Sequence, residues 1–506
     1  MKLTGTWLLI LAYMATVIFL VIRSASKTKS IKDFAVGSGQ FSPLAVALAL
    51  AASTTSAATF IINPGFVALY GWSAVISYAF VLPAGALISL VIFTKGFRKF
   101  GSSIQALTMA QWIGSRYNSQ WFAFFFALLS LLLITFIVLI CVGLTNVLAA
   151  NLQLEPVWVL LAVIVFIFGY MSVGGANSMV YTNTIQALIM LVVCLLLLGS
   201  GYEHFSNGVK GFWDSLSQID PLLIENTNPS SPLFRDFYEI IFCQFIIGVA
   251  IICQPHIITK SLLLKNPKDV NTYLFWGILV EALFFMVVIT GLYARLEFPD
   301  LIVGGETIAM DSIIPTYVAT EFPVILTLIV ILGLISAGIS TLEGLIQSLS
   351  TTITSDILDA KLGHLLFTGD GAEKKKIQAN RWVILLLAII SFILSYQQLI
   401  KPDLSVAIFA QNGVYAYFSA AFVPVLFGTF FPKTPKQAAI VASATAVIVH
   451  FLIYYGRIGS YMQEPVRNPA IASSTAILVA SAVGFLGYLI FFNKNEVGPL
   501  TTKASV

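Results

Sequence analysis

Charge is scarce in this chain. Only 10% of its 506 residues are Asp, Glu, Lys or Arg, 58% are hydrophobic, and the mean hydropathy is +0.92. Soluble domains carry about a quarter charged residues, so a soluble fold of this length is excluded. Histidine and cysteine are equally sparse, four of each. His204, His256, His364 and His450 do not cluster. Cys141, Cys194, Cys243 and Cys253 stand in apolar segments without the spacing of a metal site or a disulfide framework. They read as free, buried thiols. No nucleophile–base set falls within the apolar segments, so an enzyme is not expected. The net charge of +4 is small and sits in connecting loops, which argues against nucleic acid as a partner.

What the chain has is long apolar runs, each of about 20 residues and able to cross about 30 Å of hydrocarbon. Thirteen spans are expected, near 5–23, 43–70, 73–94, 120–149, 156–174, 178–201, 237–260, 272–295, 323–357, 380–398, 404–430, 437–455 and 470–491. The first lacks a small-residue cleavage site behind it and is expected to remain as a helix. Arg23, Lys27, Lys29 and Lys32 follow the first span, and Lys95, Arg98 and Lys99 follow the third. Lys260, Lys265 and Lys268, then Lys374, Lys375, Lys376 and Arg381, then Lys433 and Lys436 fall on that same side. The opposite side is acidic, with Glu203, Asp214, Asp220 and Glu225 in one loop and Glu297, Asp300, Glu306 and Asp311 in another. The bias places the N-terminus outside and the C-terminus in the cytoplasm. Lean loops and a short tail suit a bacterial inner membrane. The loops 203–236 and 296–322 are expected to form small caps, and the tail is expected to be flexible.

An odd count divides into one leading span, five plus five, and two trailing spans. Each five-span half then runs opposite to the other, the topology of an inverted repeat. The chain accordingly divides into 1–42 (leading helix and cytoplasmic loop), 43–201 (first repeat), 202–236 (extracellular loop), 237–430 (second repeat), 431–491 (two trailing helices) and 492–506 (cytoplasmic tail).

Two segments carry polar groups where hydrocarbon would exclude them. In Leu332–Asp356, the residues Ser336, Ser340, Glu343, Gln347, Ser350 or Thr351, and Thr354 recur every three or four positions. They form one stripe down a helix. Such groups inside a bilayer usually face a cavity, an ion or a substrate. In Leu50–Gly65, Ser53, Thr54, Thr55, Ser56 and Thr59 precede Pro64–Gly65, a composition that weakens a helix. Unwound backbone lining a site can hold a hard cation. A small-residue packing interface is the alternative reading.

These residues carry a resemblance. Ala51–Gly71 aligns without gaps to the first core helix of the solute:sodium symporter family, which includes sodium/proline, sodium/pantothenate, sodium/glucose, sodium/galactose and sialic acid transporters. Gly174–Gly175 followed by Tyr181, Thr182, Asn183, Thr184, Ile185 and Gln186 resembles that family's GG…WTDxxQ segment. Ser340–Thr341 with Ile353–Asp356 resembles the eighth core helix and its end, and Phe422–Gly428 adds a match in the tenth. The resemblance covers nearly the whole chain. It implies an all-α membrane protein of about 13 transmembrane helices with the LeuT-type five-plus-five inverted repeat, one leading and two trailing helices. It also implies Na+ as the coupling ion, held by backbone oxygens of Ala52, Thr55 and Ala337 with the hydroxyls of Ser340 and Thr341. Neutral oxygens from two helices suit a hard monovalent cation that must also be released.

The chain departs from the family at two places. The aspartate of the TD pair is Asn183, after Thr182, and two serine positions of the eighth helix are Glu343 and Gly344. The negative charge has moved to a neighbouring helix. Glu343 with Thr182 and Asn183 then forms a second cation or proton site, or a structural carboxylate bonded to them. Glu281, in the seventh core helix, stands near a substrate-binding lysine position of sugar carriers, and a structural role is equally open. Phe136 replaces the arginine that anchors sialic acid, and Ile246–Gly248 is apolar where a sugar would need polar partners. Gln254–His256 looks like the QPH element of monocarboxylate and pantothenate carriers. By family position Thr54, Ser56, Thr59 and Tyr78 line the substrate pocket, Tyr78 alternatively being a packing aromatic. Gln411, or Asn412 beside it, adds a contact.

The function expected is sodium-coupled symport of a small organic solute by alternating access. The solute would be a monocarboxylate, a pantothenate-like acid or an amino acid. The partners are that solute, sodium and membrane lipid. The alternatives are a proton-coupled carrier using Glu343 and a carrier of an amine or cationic solute. A channel or sensor is disfavoured, the 15-residue tail leaving no room for a signalling domain.

Overall fold

The structure, a computed structural model, describes residues 2–25, 27–37, 41–401, 406–463 and 467–492. The expected tail and the first residues of the span at 404–430 lie outside them. Helices dominate: α1 Lys2–Ala25, α2 in two halves (α2a Pro43–Thr54, α2b Ala58–Tyr70), α3 Trp72–Ser103, α4 Gln120–Leu152, α5 Pro156–Met171 and α6 Ala176–Phe205. There follow α7 in two halves (α7a Tyr238–Ile251, α7b Pro255–Leu263), α8 Asp269–Glu297, α9 Val324–Leu366, α10 Ala372–Ile400, α11 Val406–Phe430, α12 Lys436–Gly456 and α13 Pro469–Phe491. Ten of these are long and apolar enough to cross a membrane, or twelve when each bent pair is one span. The expected count of thirteen is therefore not fixed by length and composition. The remaining helix, α5, has 16 residues, about 24 Å at 1.5 Å per residue.

Local chemistry sets the helix starts. The Ser42 hydroxyl accepts from Ala45 N–H, with Pro43 pre-set in the first turn. Ser30 and Asp33 form a capping box on the short helix Ile31–Val36. Gly175 starts α6 at φ +89°, and a side chain there would meet Phe34. The outward faces of the bundle stay apolar and exposed, for example Leu8, Leu11, Phe19 and Ile22 on α1 and Trp382, Leu385 and Ile389 on α10. In water such a surface would aggregate; against lipid it is the solvated face.

Packing runs in exchanged pairs. Helix α2a lies on α8, and α7a lies on α3; α4 packs on α11, and α9 on α6; α4 packs on α10, and α9 on α5. Advancing each helix number by five, modulo the two groups, turns one member of each pair into the other, as an inverted repeat requires. The crossings are close because glycines make them so. A side chain at Gly248 would stand 2.2 Å from Leu82 O, and one at Gly291 would stand 2.1 Å from Pro64 O. The first brings α7a onto α3, the second α8 onto α2b.

The loops gather at two ends. At one, the 203–236 segment carries the amphipathic helix Gly208–Ile219. The 296–322 segment carries a two-stranded hairpin (β1 Ile302–Val303, β2 Glu306–Thr307) and the helix Ile313–Glu321. Arg235 donates to Glu239 at 2.6 Å, Asn468 donates to the same carboxylate at 2.8 Å, and Tyr461 donates to Asp236 at 2.5 Å. This clamp had no motif to announce it. At the other end Thr28 donates to Gly174 O and Arg381 to Ser172 O. Two of the basic residues expected in loops there are instead interior. Arg98 lies within α3, 5% exposed, and its guanidinium donates to Ser261 O at 3.1 Å and Leu264 O at 2.8 Å. Lys260 lies within α7b and is 2% exposed. The hydropathy of a window cannot show which way such a residue points.

Gly248→Ala should lower the thermal stability of the detergent-purified protein by about 1–3 kcal/mol, because the added methyl must part α7a from α3. A second effect concerns Asp311, next to Met310, whose carbonyl lies against Gly65. Burial pushes the Asp311 carboxyl up to about 6, so its folded pKa exceeds the unfolded value. Its contribution to stability is fully present at low pH and is lost as pH rises toward and through about 6. Asp311→Asn should therefore raise the melting temperature near pH 7.5 and leave it unchanged near pH 4.

Candidate functional site

Helix α2 bends by 57° at residues 55–57, and α7 by 56° at 252–254. In α2 the last rung of the first half is Thr55 N–H to Ala51 O at 3.1 Å. The next starts from Ser56 O, which accepts from Thr59 N–H at 3.0 Å. The carbonyls between are released from the ladder. The break lies about two turns before Pro64–Gly65, at the run of hydroxyl residues itself, where the Ser56 hydroxyl caps the second half by accepting from Ala58 N–H. The break in α7 was not anticipated. Pro255 marks it, standing first in α7b after an extended Gln254.

Beside the α2 break runs the polar stripe of α9. Ser336, Ser340, Glu343, Gln347, Ser350, Thr351 and Thr354 are all buried. The Ser340 hydroxyl lies 2.7 Å from Ala52 O and 3.1 Å from Ala337 O. The Thr341 hydroxyl lies 3.5 Å and 3.3 Å from the same two carbonyls. Four oxygens from two helices thus share two hydroxyl protons. Thr55 turns its hydroxyl back to Ala51 O at 2.5 Å, and its carbonyl lies past the last rung of the first half.

Glu343 sits one turn further along α9 and is fully buried. Its carboxylate accepts from the Tyr170 hydroxyl at 2.5 Å and the Thr182 hydroxyl at 2.6 Å. Asn183 does not join Thr182 there: it donates to Ser53 Oγ at 3.0 Å, and Ser53 donates to Ser340 O at 3.4 Å. The three residues expected together are therefore divided between two clusters. The reason is helical phase, since adjacent residues of α6 point about 100° apart. Tyr170 carried no signal in the sequence. It stands inside an apolar span, and only the fold brings α5 to α9.

The substrate candidates surround the α2 break. Ser56 and Thr59 are buried and Thr54 half-buried, with the Thr54 hydroxyl turned back to Leu50 O at 3.0 Å. Glu281 of α8 is 2% exposed, faces Thr54, and has one carboxylate oxygen without a hydrogen-bond partner. Tyr78 packs on Phe234 and Phe66 and presents its hydroxyl to Gln411. Asn412 is committed elsewhere, to Tyr455 and His450, which favours Gln411 as the contact. His256 opens α7b, is 1% exposed, and has neither ring nitrogen hydrogen-bonded. The Phe136 ring lies 6.2 Å from it, edge-on. Gly248 is spent on the crossing with α3.

A helical bundle with two mid-span breaks, each heading a group of five helices, has the architecture of a secondary transporter. The chain superposes on a Na+-coupled sialic acid symporter in its substrate-bound outward-open state, with a TM-score of 0.78 and 17% identity over 98% of both chains. It also superposes on a nucleobase-cation-symport-1 family transporter in a closed conformation, with a TM-score of 0.53 and 14% identity over 91% of this chain and 95% of that one. The fold is the LeuT-type inverted repeat. The model of the sodium:solute symporter family matches residues 34–445, and the chain belongs to that family. Among its relatives, the sodium/pantothenate symporter of Haemophilus influenzae is 24% identical over 424 residues, 82% of each chain. The sodium/sialic acid symporter of Proteus mirabilis is 19% identical over 460 residues, 88% of each. Sodium is the coupling ion of this family, and family and neighbours alike are transporters.

Tyr170→Phe should leave the Glu343 carboxylate short of one donor at full burial. A stability loss of about 1–3 kcal/mol is expected, read as a lowered melting temperature. An unchanged melting temperature would mean that water reaches the carboxylate.

Proposed function

We propose that this protein is a sodium-driven importer of a small organic solute, with sodium held by the carbonyls of Ala52, Thr55 and Ala337 and the hydroxyls of Ser340 and Thr341. The observation that supports this most is the convergence of Ala52 O, Ala337 O, Ser340 Oγ and Thr341 Oγ1 across the broken α2 and the continuous α9. An ion there ties the two helices together. It raises solute affinity insofar as ion and solute favour the same conformation. The repeats 43–201 and 237–430 would rock about this point. The N-terminus would lie outside and the C-terminus in the cytoplasm, as the basic loops favour.

The solute would sit between the two breaks, near Thr54, Ser56, Thr59, Tyr78, Gln411 and Glu281. A monocarboxylate, a pantothenate-like acid or an amino acid suits a pocket with hydroxyls on one wall and an apolar Phe136 on another. One observation favours a solute with an amino group: the buried Glu281, beside Thr54, has a carboxylate oxygen without a hydrogen-bond partner. A buried carboxylate binds an ammonium and repels an acid that lacks one.

Ser340→Ala combined with Thr341→Ala should raise the sodium concentration for half-maximal uptake at least tenfold, about 1.4 kcal/mol of lost ion binding. Uptake into proteoliposomes under a sodium gradient measures it. A sodium dependence that stays at the wild-type value would remove the site assignment. Thermal stabilisation by sodium over potassium, across proline, choline, pantothenate and short monocarboxylates, would separate the solute classes.

A further inference from the structure

The positive charge that Glu343 needs is already present in the chain. Lys260 lies on α7b, one turn beyond His256, and is 2% exposed. Its ammonium donates to the Met179 sulfur of α6 at 3.5 Å. An ammonium has three protons to place, and a thioether is a weak acceptor, so this contact alone does not account for a buried cation. Met179 stands one turn from Thr182 on α6, and Thr182 donates to Glu343 at 2.6 Å, so Glu343 is the carboxylate across the α7b–α9 contact from this ammonium. The two do not touch: the ion pairs within 4.0 Å among the described residues are those of Arg235 with Glu239 and of Lys376 with Asp359 and Glu373. The Glu343 oxygens are taken up by Tyr170 and Thr182, which leaves Lys260 to act on it through space.

We propose that Lys260 is a tethered cation that takes the electrostatic place of a second sodium ion beside Glu343, so that the carrier binds and moves one sodium per cycle. The inference rests on the sodium-symport reading above and specifies its stoichiometry. A carboxylate served by a mobile ion would be left bare each time the empty carrier returned, at a large cost in a dry interior. A lysine on the helix next door cannot leave, so the local charge is the same in the loaded and the empty protein. It also opposes a further cation, because an ion at Glu343 would sit within the field of the ammonium. Sodium is thereby confined to the neutral oxygens of Ala52, Thr55, Ala337, Ser340 and Thr341, which carry no charge for Lys260 to cancel.

The test is equilibrium binding of radioactive sodium to the purified full-length protein, with potassium and choline as controls. Wild type should bind one sodium per chain with a Hill coefficient of one. Lys260→Met should bind two, the second displaced by adding Glu343→Gln in the same chain, and Lys260→Arg should bind one. Two sodium ions on the wild type, or one on a folded Lys260→Met, would overturn the proposal while leaving sodium symport intact. No sodium on the wild type would remove the symport reading itself. Should Lys260→Met fail to fold, the wild type and the doubly neutral variant decide: one sodium on each supports the proposal, and two on the wild type overturns it.

Discussion

Hydrocarbon supplies no hydrogen bonds, so backbone freed inside this bundle has to find its partners in another part of the chain or in what the site binds. The rest of the structure depends on how that constraint is met at the α2 break. There the backbone leaves its ladder between Ala51 and Ser56, and the hydroxyls of α9 meet the released carbonyl of Ala52. Asn183 and Ser53 tie the same point to α6. An unwound segment that would be prohibitive facing lipid becomes tolerable because a second helix is built to face it. The same requirement makes the place selective, since oxygens gathered to satisfy one another are also the ligands of a small cation.

The bundle keeps its charged groups in two regimes. At the loop end carrying Gly208–Ile219, Arg235, Glu239 and Asn468 form a dense cluster with short contacts, the carboxylate and the amide buried and the guanidinium partly exposed. Within the core, Glu343 and Lys260 are held apart on different helices, each with neutral partners at hand. The first arrangement fixes the start of α7 to the segment before α13. The second leaves charge in the interior without a rigid pair between the helices that carry it.

Much of this was legible before any coordinates. The α9 stripe and the weak point in α2 follow from periodicity and from hydroxyl content, because a membrane span offers few reasons to carry Ser, Thr and Glu on one face. Periodicity speaks of one helix at a time, however. Tyr170 and Lys260 belong to the surroundings of Glu343 only through tertiary packing, and each looked ordinary where it stood: one more aromatic in an apolar run, one more lysine near the end of a span. Arg98 shows the same limit, since its charge counts toward loop bias while its guanidinium is buried against the carbonyls of Ser261 and Leu264. The separation of Asn183 from Thr182 is a matter of 100° of helical phase, which a family motif read as a string does not encode. The break at Gln254–Pro255 had a signal, a proline within an apolar span, that a motif match absorbed without its geometric meaning.

The four thiols offer a practical consequence. Cys141, Cys194, Cys243 and Cys253 are each fully covered by the bundle, so a water-borne maleimide meets almost no reactive background in the folded wild-type protein. Single cysteines can then be introduced at the loop ends as spectroscopic reporters without first stripping the native ones. Any labelling that does appear in the unmodified chain becomes a direct gauge of how far the helices part during the work of transport.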